Sequence, residues 1–172
     1  GLLGESAGAH LAMMMTYSEP KDFGKSFEKP NIQYLIDVYG PSNFSALYHA
    51  ATTDSINALI NRLPASLAER LDLSRLLVGF DPKEQPKKAE GVMQNLSPTT
   101  YIDKEKVHTL IIHGKADQIV PVEQSYLLEG VFDRLEIPYE AHYFEGVNHA
   151  FQDATEEQKQ TIQQLIIDFV LK

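Results

Sequence analysis

The sequence contains no cysteine in its 172 residues. Disulfides, thiolate metal sites and cysteine nucleophiles are therefore excluded, while the redox compartment stays open because a cysteine-free protein suits either one. No apolar run approaches the ~18–20 residues that a membrane-spanning helix needs, so we expect no membrane span. Internal repeats and low-complexity tracts are also missing from the chain.

Positive charge is scarce relative to negative charge. Lys and Arg together number 15 against 24 Asp and Glu, which gives a formal net charge of −9. A negative surplus repels phosphate backbones and anionic membrane surfaces, so we expect no nucleic-acid partner. The content of hydrophobic residues (43%) and charged residues (23%) is near that of soluble globular proteins. The length suffices for one domain with a sizeable buried core.

Short apolar runs alternate with helical periods along the chain. The apolar runs predict a strand cut short at residues 1–4 and further strands at residues 32–39, 107–112 and 139–144. Helical spacing predicts helices after Ser6, over residues 66–77, over residues 122–135 and from Thr155 onwards, where Gln158 completes a capping-box spacing. This alternation favours an α/β fold with a mainly parallel sheet flanked by helices.

The segment Gly4-Glu5-Ser6-Ala7-Gly8 matches the pattern G-x-S-x-G. In this motif a strand turns sharply into a helix, the serine at the apex takes a strained backbone conformation, and its neighbours must be small. The Ser6 hydroxyl would then be exposed at a helix N-terminus, where the N–H of Ala7 can point at a developing oxyanion. A plain glycine-rich turn would match the five residues equally well, but the apolar run before them and the helical run after them favour a nucleophile.

A serine hydroxyl becomes a nucleophile at neutral pH only with a base, and that base needs an orienting carboxylate. In folds with such a strand–serine–helix turn, called a nucleophile elbow, the order along the chain is Ser, acid, His. The acid and the base each follow the C-terminal end of a later strand. Asp117 follows the strand at 107–112, and His149 follows the strand at 139–144. We therefore predict that Ser6, Asp117 and His149 form a catalytic triad.

Other candidates for the acid and the base fit this order less well. Asp117 could instead cap the helix expected near residue 122, but it lies several residues too early. Asp37 is the alternative acid, although it lies inside an apolar strand. Five further histidines occupy less suitable positions: His10, His49, His108, His113 and His142. No H-E-x-x-H motif or close His/Asp cluster appears, so we expect no metal site.

Longer stretches resemble the esterase/lipase branch of the α/β-hydrolases, and within it the feruloyl/acetyl-xylan-esterase-like carboxylesterases. The stretches that carry the resemblance are the elbow at 4–12, the strand and turn at 36–44, the segment 96–101, the acid loop and helix start at 113–125 and the histidine loop at 146–151. The resemblance implies Ser6 as nucleophile, Asp117 as acid and His149 as base. It also implies a serine hydrolase that cleaves small-molecule carboxylic esters through an acyl-enzyme, without a cofactor.

The comparison with that family also predicts the domain organisation. Residues 1–172 would be the C-terminal part of a single α/β-hydrolase domain, a partial fold in which the N-terminal strands and the HGGG-type loop with the second oxyanion donor are missing. Residues 42–97 hold no clear strand and are expected to form a helical cap-like insertion. The strand at 1–4 would leave an exposed sheet edge through which the chain could form a homo-oligomer. Loss of one oxyanion donor costs ~10²–10³ in turnover, so we expect weak activity.

Two rival interpretations remain open. Prolyl-oligopeptidase-type serine peptidases share the acid and histidine loops, but they usually carry aromatic residues beside the nucleophile, where this sequence has Glu5 and Ala7. A non-catalytic α/β-hydrolase would serve as a receptor or adhesion module. Such proteins tend to lose a member of the triad, whereas all three candidates are present here.

Overall fold

Four parallel strands form the sheet of the computed structural model, which describes residues 1–26, 28–60, 62, 72–103 and 107–172. The strands are β1 (Leu2–Glu5), β2 (Tyr34–Val38), β3 (His108–Gly114) and β4 (Tyr139–Phe144), in the spatial order β1-β2-β3-β4. The predicted parallel α/β architecture is confirmed. Strand β3 runs two residues past the predicted end because His113 and Gly114 pair with Tyr143 and Phe144, a pairing that depends on the partner strand.

Seven α-helices flank or follow the strands in the described residues. They are α1 (Ala7–Tyr17), α2 (Phe44–Tyr48), α3 (Ala51–Ile60), α4 (Leu73–Val78), α5 (Pro86–Asn95), α6 (Glu123–Leu135) and α7 (Glu156–Val170). The helix predicted over residues 66–77 is found in its second half, where α4 covers residues 73–77, while residues 66–71 lie outside the described residues. Helix α7 begins as predicted, because the Thr155 hydroxyl accepts the N–H of Gln158 and the Gln158 side chain accepts the N–H of Thr155.

The two faces of the sheet are buried against different helices, because successive side chains of a strand point to opposite faces. On one face, Leu35 and Ile111 pack with Met13 of α1 and with Leu128 and Phe132 of α6. The opposite face packs against Ile162 and Phe169 of α7; its strand residues are Ile36, Val38, Leu110 and Ile112. Two buried faces explain why the central strands are continuously apolar rather than alternating.

Residues 42–97 contain helices and no strand among the residues described there. They bury a small core of their own, formed by Val78, Ala89 and Met93. The segment is tied back to the sheet at its start, where Gln124 of α6 accepts the backbone N–H groups of Ser42 and Asn43. Ser97 closes the other end by accepting the N–H of Phe44.

Strand β1 is an edge of the sheet within the described residues, since its recorded pairing is with β2. Three apolar side chains of β1 and the following helix α1 are exposed, with Leu3 at 51%, Leu11 at 67% and Met15 at 49% of their surface accessible. An unpaired strand edge beside exposed apolar groups is a surface that favours association. Among the described helices, none has both the length and the apolar content that crossing a bilayer requires.

Candidate active site

Ser6 lies at the junction of β1 and α1, in a strained backbone conformation. Its φ is 51° and its ψ is −121°, a region that non-glycine residues seldom occupy. The helix passes close to the strand here, because a Cβ on Gly4 would lie 2.3 Å from the carbonyl oxygen of Gly8. The expected need for a small residue therefore holds at Gly4. It does not hold at Gly8, where an added Cβ meets no atom within 4 Å.

The structure brings Ser6, His149 and Asp117 together at the C-terminal end of the strands. His149 Nε2 lies 3.0 Å from Ser6 Oγ, and His149 Nδ1 lies 2.7 Å from Asp117 Oδ2. A carboxylate only accepts hydrogen bonds, so Nδ1 carries the proton in the neutral ring, and Nε2 is left to accept the proton of the Ser6 hydroxyl. This arrangement can deprotonate the serine hydroxyl and hold the resulting imidazolium beside a negative charge.

Asp117 is a buried carboxylate, with 6% of its surface exposed. Burial raises its pKa, but hydrogen bonds from His113, His149 and the N–H groups of Ile119 and Val120 outweigh burial and hold the pKa below its ordinary value. Its Oδ1 accepts those two N–H groups at 2.8 and 2.9 Å. The alternative role as a helix cap is therefore wrong, because these N–H groups belong to the loop before α6.

His113 is fully buried behind Asp117, a contact that the sequence pattern did not reveal. Its Nε2 donates to the carbonyl oxygen of Val120 at 2.9 Å and lies 3.4 Å from Asp117 Oδ2. The Ser125 hydroxyl lies 2.7 Å from its Nδ1. Because a carbonyl only accepts, Nε2 carries a proton and presents it toward the carboxylate. His113 thus holds the acid loop to α6 and adds positive potential beside Asp117.

Asp37, the alternative acid, is buried inside β2, away from the His149 ring nitrogens. Its Oδ1 accepts the N–H of Gly40 at 2.9 Å, and its Oδ2 has no hydrogen-bond partner among the described residues. Burial raises its pKa to about 7, against the opposing effects of His113 and of the Gly40 N–H. The hydrogen bond to His149 comes from Asp117 instead.

The loop that carries His149 is fixed to the acid loop by backbone contacts. A Cβ on Gly114 would lie 2.2 Å from the carbonyl oxygen of Val147, so the two loops can approach only with glycine there. Asn148 Oδ1 accepts the N–H of Gln118 at 3.1 Å and that of His149 at 2.7 Å. Asn148 therefore fixes the spacing between acid and base, and no feature of the local sequence pattern indicated this role.

Tyr39 packs against the His149 ring from the end of β2. The two ring centroids lie 4.8 Å apart, and the Tyr39 hydroxyl donates to Glu5 Oε2 at 2.8 Å. Tyr39 has a φ of 45°, which is rare for a bulky residue. Glu5, the residue before Ser6, is thus hydrogen-bonded to Tyr39, whose ring packs on His149.

A cavity of about 520 Å³ opens beside Ser6 and extends beneath the helices of residues 42–97. Its apolar lining comprises Ala7, Leu11, Pro41, Phe44, Leu47, Tyr48, Ile56, Leu77, Met93, Ile119 and Val120. Four polar residues, Ser6, His10, Thr53 and Asn57, complete the described lining. The volume lies within the range of ~300–1,000 Å³ that is typical of small-molecule sites.

Ala7 is the first residue of α1, directly beside the Ser6 hydroxyl. The first N–H groups of a helix have no intrahelical acceptor, so the Ala7 N–H is available to a negative oxygen formed at the serine. No group of three or more His, Asp or Glu side chains suited to a metal ion occurs in the described part of the chain.

The chain is similar to known hydrolases. A family model described as BD-FAE matches residues 1–132, a range that includes Ser6 and Asp117 and ends before His149. The uncharacterized peptidase YtmA of Bacillus subtilis is 35% identical over 86 residues, 48% of this chain and 32% of that protein. The probable carboxylic ester hydrolase LipM of Mycobacterium tuberculosis is 28% identical over 167 residues, 87% of this chain and 33% of that protein. The chain thus spans about a third of the length of these relatives.

Solved structures share the fold. A truncated form of a carbohydrate esterase from gut microbiota superimposes with a TM-score of 0.66 at 21% identity, over 100% of this chain and 60% of that one. At this identity the likeness concerns the arrangement of strands and helices.

Proposed function

This chain belongs to the BD-FAE family, an α/β-hydrolase family, and from that premise we propose that it is a serine hydrolase that cleaves carboxylic esters through Ser6, His149 and Asp117. The observation that carries the proposal is the unbroken chain of contacts from Ser6 Oγ to His149 Nε2 at 3.0 Å and from His149 Nδ1 to Asp117 Oδ2 at 2.7 Å. These distances are those at which a base takes the proton of a nucleophile.

The proposed reaction has two steps. His149 takes the Ser6 proton as Oγ attacks the acyl carbon, and the Ala7 N–H donates to the oxyanion that forms. His149 then gives its proton to the leaving alcohol, which leaves an acyl group on Ser6. Water then attacks the acyl carbon while His149 takes its proton. The bond between Oγ and the acyl carbon breaks, His149 gives the proton to Oγ, and the acid product departs. Asp117 stays ionised throughout, which its lowered pKa favours.

Residues 42–97 are the proposed cap of this site. Their helices lie over the cavity beside Ser6, and Phe44, Leu47 and Ile56 line that cavity. In this proposal the cap shapes the space for the substrate, while the sheet and its loops hold the reacting groups.

Peptide-bond cleavage is the second candidate, favoured by the 35% identity to a protein described as a peptidase. The two candidates differ in the leaving group, an alcohol or an amine. Turnover of acyl esters and of the matching peptide p-nitroanilides, measured with the same preparation, discriminates between them. A higher kcat/KM for the anilide than for the ester would show that peptide-bond cleavage, and not ester hydrolysis, is the preferred reaction.

A covalent fluorophosphonate probe tests the proposed nucleophile directly, since it reacts with an activated serine even where turnover is slow. We expect intact mass spectrometry to record one added label, which Ser6→Ala abolishes. Ser55→Ala is the matched control, because Ser55 is an exposed serine of α3 whose hydroxyl bonds the carbonyl of Ala51. Equal labelling of Ser6→Ala and of the unaltered chain would contradict the proposal.

A further inference from the structure

The cavity beside Ser6 is lined mainly by apolar side chains. It begins at Ser6 and Ala7, where the carbonyl of a substrate would lie, and runs beneath α2 and α3. None of its described lining residues is Asp, Glu, Lys or Arg. Its position means that one of the two groups flanking an ester bond at Ser6 would enter this space.

Two polar side chains of the lining, those of His10 and Thr53, are already engaged in hydrogen bonds within the protein. His10 Nε2 donates to the carbonyl oxygen of Leu96 at 2.7 Å, and its ring packs edge-on against Phe44 at 4.7 Å. Thr53 Oγ1 donates to the carbonyl oxygen of Leu47 at 2.6 Å. Burial lowers the pKa of His10, against the effect of that backbone bond, which favours the neutral ring. Apart from Ser6 itself, the described lining leaves the Asn57 amide and the Tyr48 hydroxyl to replace water, too few partners for a group that carries several hydroxyls.

We infer that this cavity binds an apolar group of about eight carbons on one side of the ester, and that it selects against acetylated sugars; the inference rests on the proposed function. A buried hydroxyl without a partner loses the hydrogen bonds that it made to water, whereas each buried methylene gains free energy. A methylene is about as large as a water molecule, which occupies roughly 30 Å³ in the liquid. Eight carbons therefore take about half of the 520 Å³, so an octyl or octanoyl chain fits inside the cavity.

Chain length is the variable that tests this inference. Methyl esters from acetate to octanoate vary the acyl side, and acetates from methyl to octyl vary the alcohol side. Full burial of a methylene multiplies kcat/KM by about four, so we expect at least a hundredfold rise between the shortest and the longest ester in one series. The series that rises identifies which side enters the cavity. A flat response in both series, or a higher kcat/KM for xylose tetraacetate than for every long ester, would overturn the inference.

A cavity-filling variant locates the effect. Ile56 lines the cavity from α3, so Ile56→Trp is expected to reduce the ratio of long-chain to short-chain kcat/KM at least tenfold. Ile167→Trp is the matched control, because Ile167 lies on α7 with 49% of its surface exposed. It should leave the ratio unchanged. Equal ratios in the two variants would place the selectivity outside this cavity.

Binding without chemistry separates this inference from the proposed reaction. Octanamide and acetamide resemble the acyl sides of long and short esters, and NMR titration measures their dissociation constants on Ser6→Ala. We expect octanamide to bind at least thirtyfold more tightly, and Ile56→Trp to remove most of that difference. If octanamide binds tightly but the chain neither reacts with the probe nor turns over esters, the cavity inference stands and the proposed esterase activity is wrong. If esters are turned over but neither the rates nor the binding depend on chain length, the proposed esterase activity stands and the cavity inference is wrong.

Discussion

Replacing Asp37 by asparagine should raise the stability of the chain relative to that of the wild type as pH rises from 4 to 8. Asp37 is fully buried, and burial raises its pKa from the ordinary value of 3.8 to about 7 despite His113 and the Gly40 N–H. Between these values the unfolded chain has lost the proton and the folded chain retains it. The folded state binds more protons there, so wild-type stability falls as pH rises.

The size of the effect follows from the two pKa values. A difference of one in pKa corresponds to about 1.4 kcal/mol. The rise in pKa from 3.8 to about 7 therefore lowers the free energy of unfolding of the wild type by roughly 4 kcal/mol by pH 8. Asparagine keeps an oxygen acceptor for the Gly40 N–H, which Asp37 Oδ1 accepts at 2.9 Å, and it never ionises. Any fixed cost of the amide group is the same at every pH.

Urea unfolding followed by circular dichroism at five pH values from 4 to 8 measures this difference. The free energy of unfolding of Asp37→Asn minus that of the wild type should rise with pH and level off above pH 7. Asp153→Asn serves as the control, since Asp153 is exposed on the surface. A difference that stays constant or falls with pH would mean that Asp37 is ionised in the folded chain at low pH, and the reasoning from burial would be refuted.

Three further predictions concern the site and the sheet edge. Asp117→Asn should lower the rate of Ser6 acylation by about 10⁴, because the amide stabilises the wrong tautomer of His149; stopped-flow single-turnover measurements check this, and a loss below tenfold would contradict the assigned role. Gly4→Ala should abolish fluorophosphonate labelling, because its Cβ would lie 2.3 Å from the Gly8 carbonyl oxygen, while Gly8→Ala, with open space around the new Cβ, should label normally. We also propose that copies of the chain associate along the β1 edge. Analytical ultracentrifugation should record a dimer, and Leu3→Lys should weaken its association. A monomer at all concentrations would contradict this proposal.

Much of the fold could be predicted because its determinants are local in the sequence. The apolar runs that end in Gly40-Pro41 and at Gly114 mark the central strands β2 and β3, which are buried on both faces, and α7 begins at the expected capping box. The three residues of the predicted triad also follow from local patterns, since each lies just past a strand, and parallel strands present their C-terminal ends at one edge. Their distances in the structure agree with that logic, while their catalytic role stays a prediction for the labelling experiment.

Contacts between distant segments could not be predicted, because no periodicity or motif records them. The hydrogen bond from Tyr39 to Glu5 joins residues 34 positions apart, and the one from Gln118 to Asn148 joins residues 30 apart. Both depend on strand order and register, which bring the ends of β1, β2, β3 and β4 side by side. A tyrosine at the end of a strand is indistinguishable in sequence from an ordinary core residue until the neighbouring strand is known.

Asp37 and His113 illustrate how a residue that the sequence pattern disfavours for one role can still matter for another. Neither carries the hydrogen bonds that join Asp117 to His149 and His149 to Ser6. Yet His113 lies 3.4 Å from Asp117, and it opposes the effect of burial on the pKa of Asp37. A charge on His113 would therefore favour ionisation of both carboxyl groups, whereas loss of its ring would leave only backbone N–H groups and His149 to hold Asp117 ionised. The sequence order Ser, acid, His selects the candidate triad, and buried groups behind it, such as His113, help to hold the acid ionised.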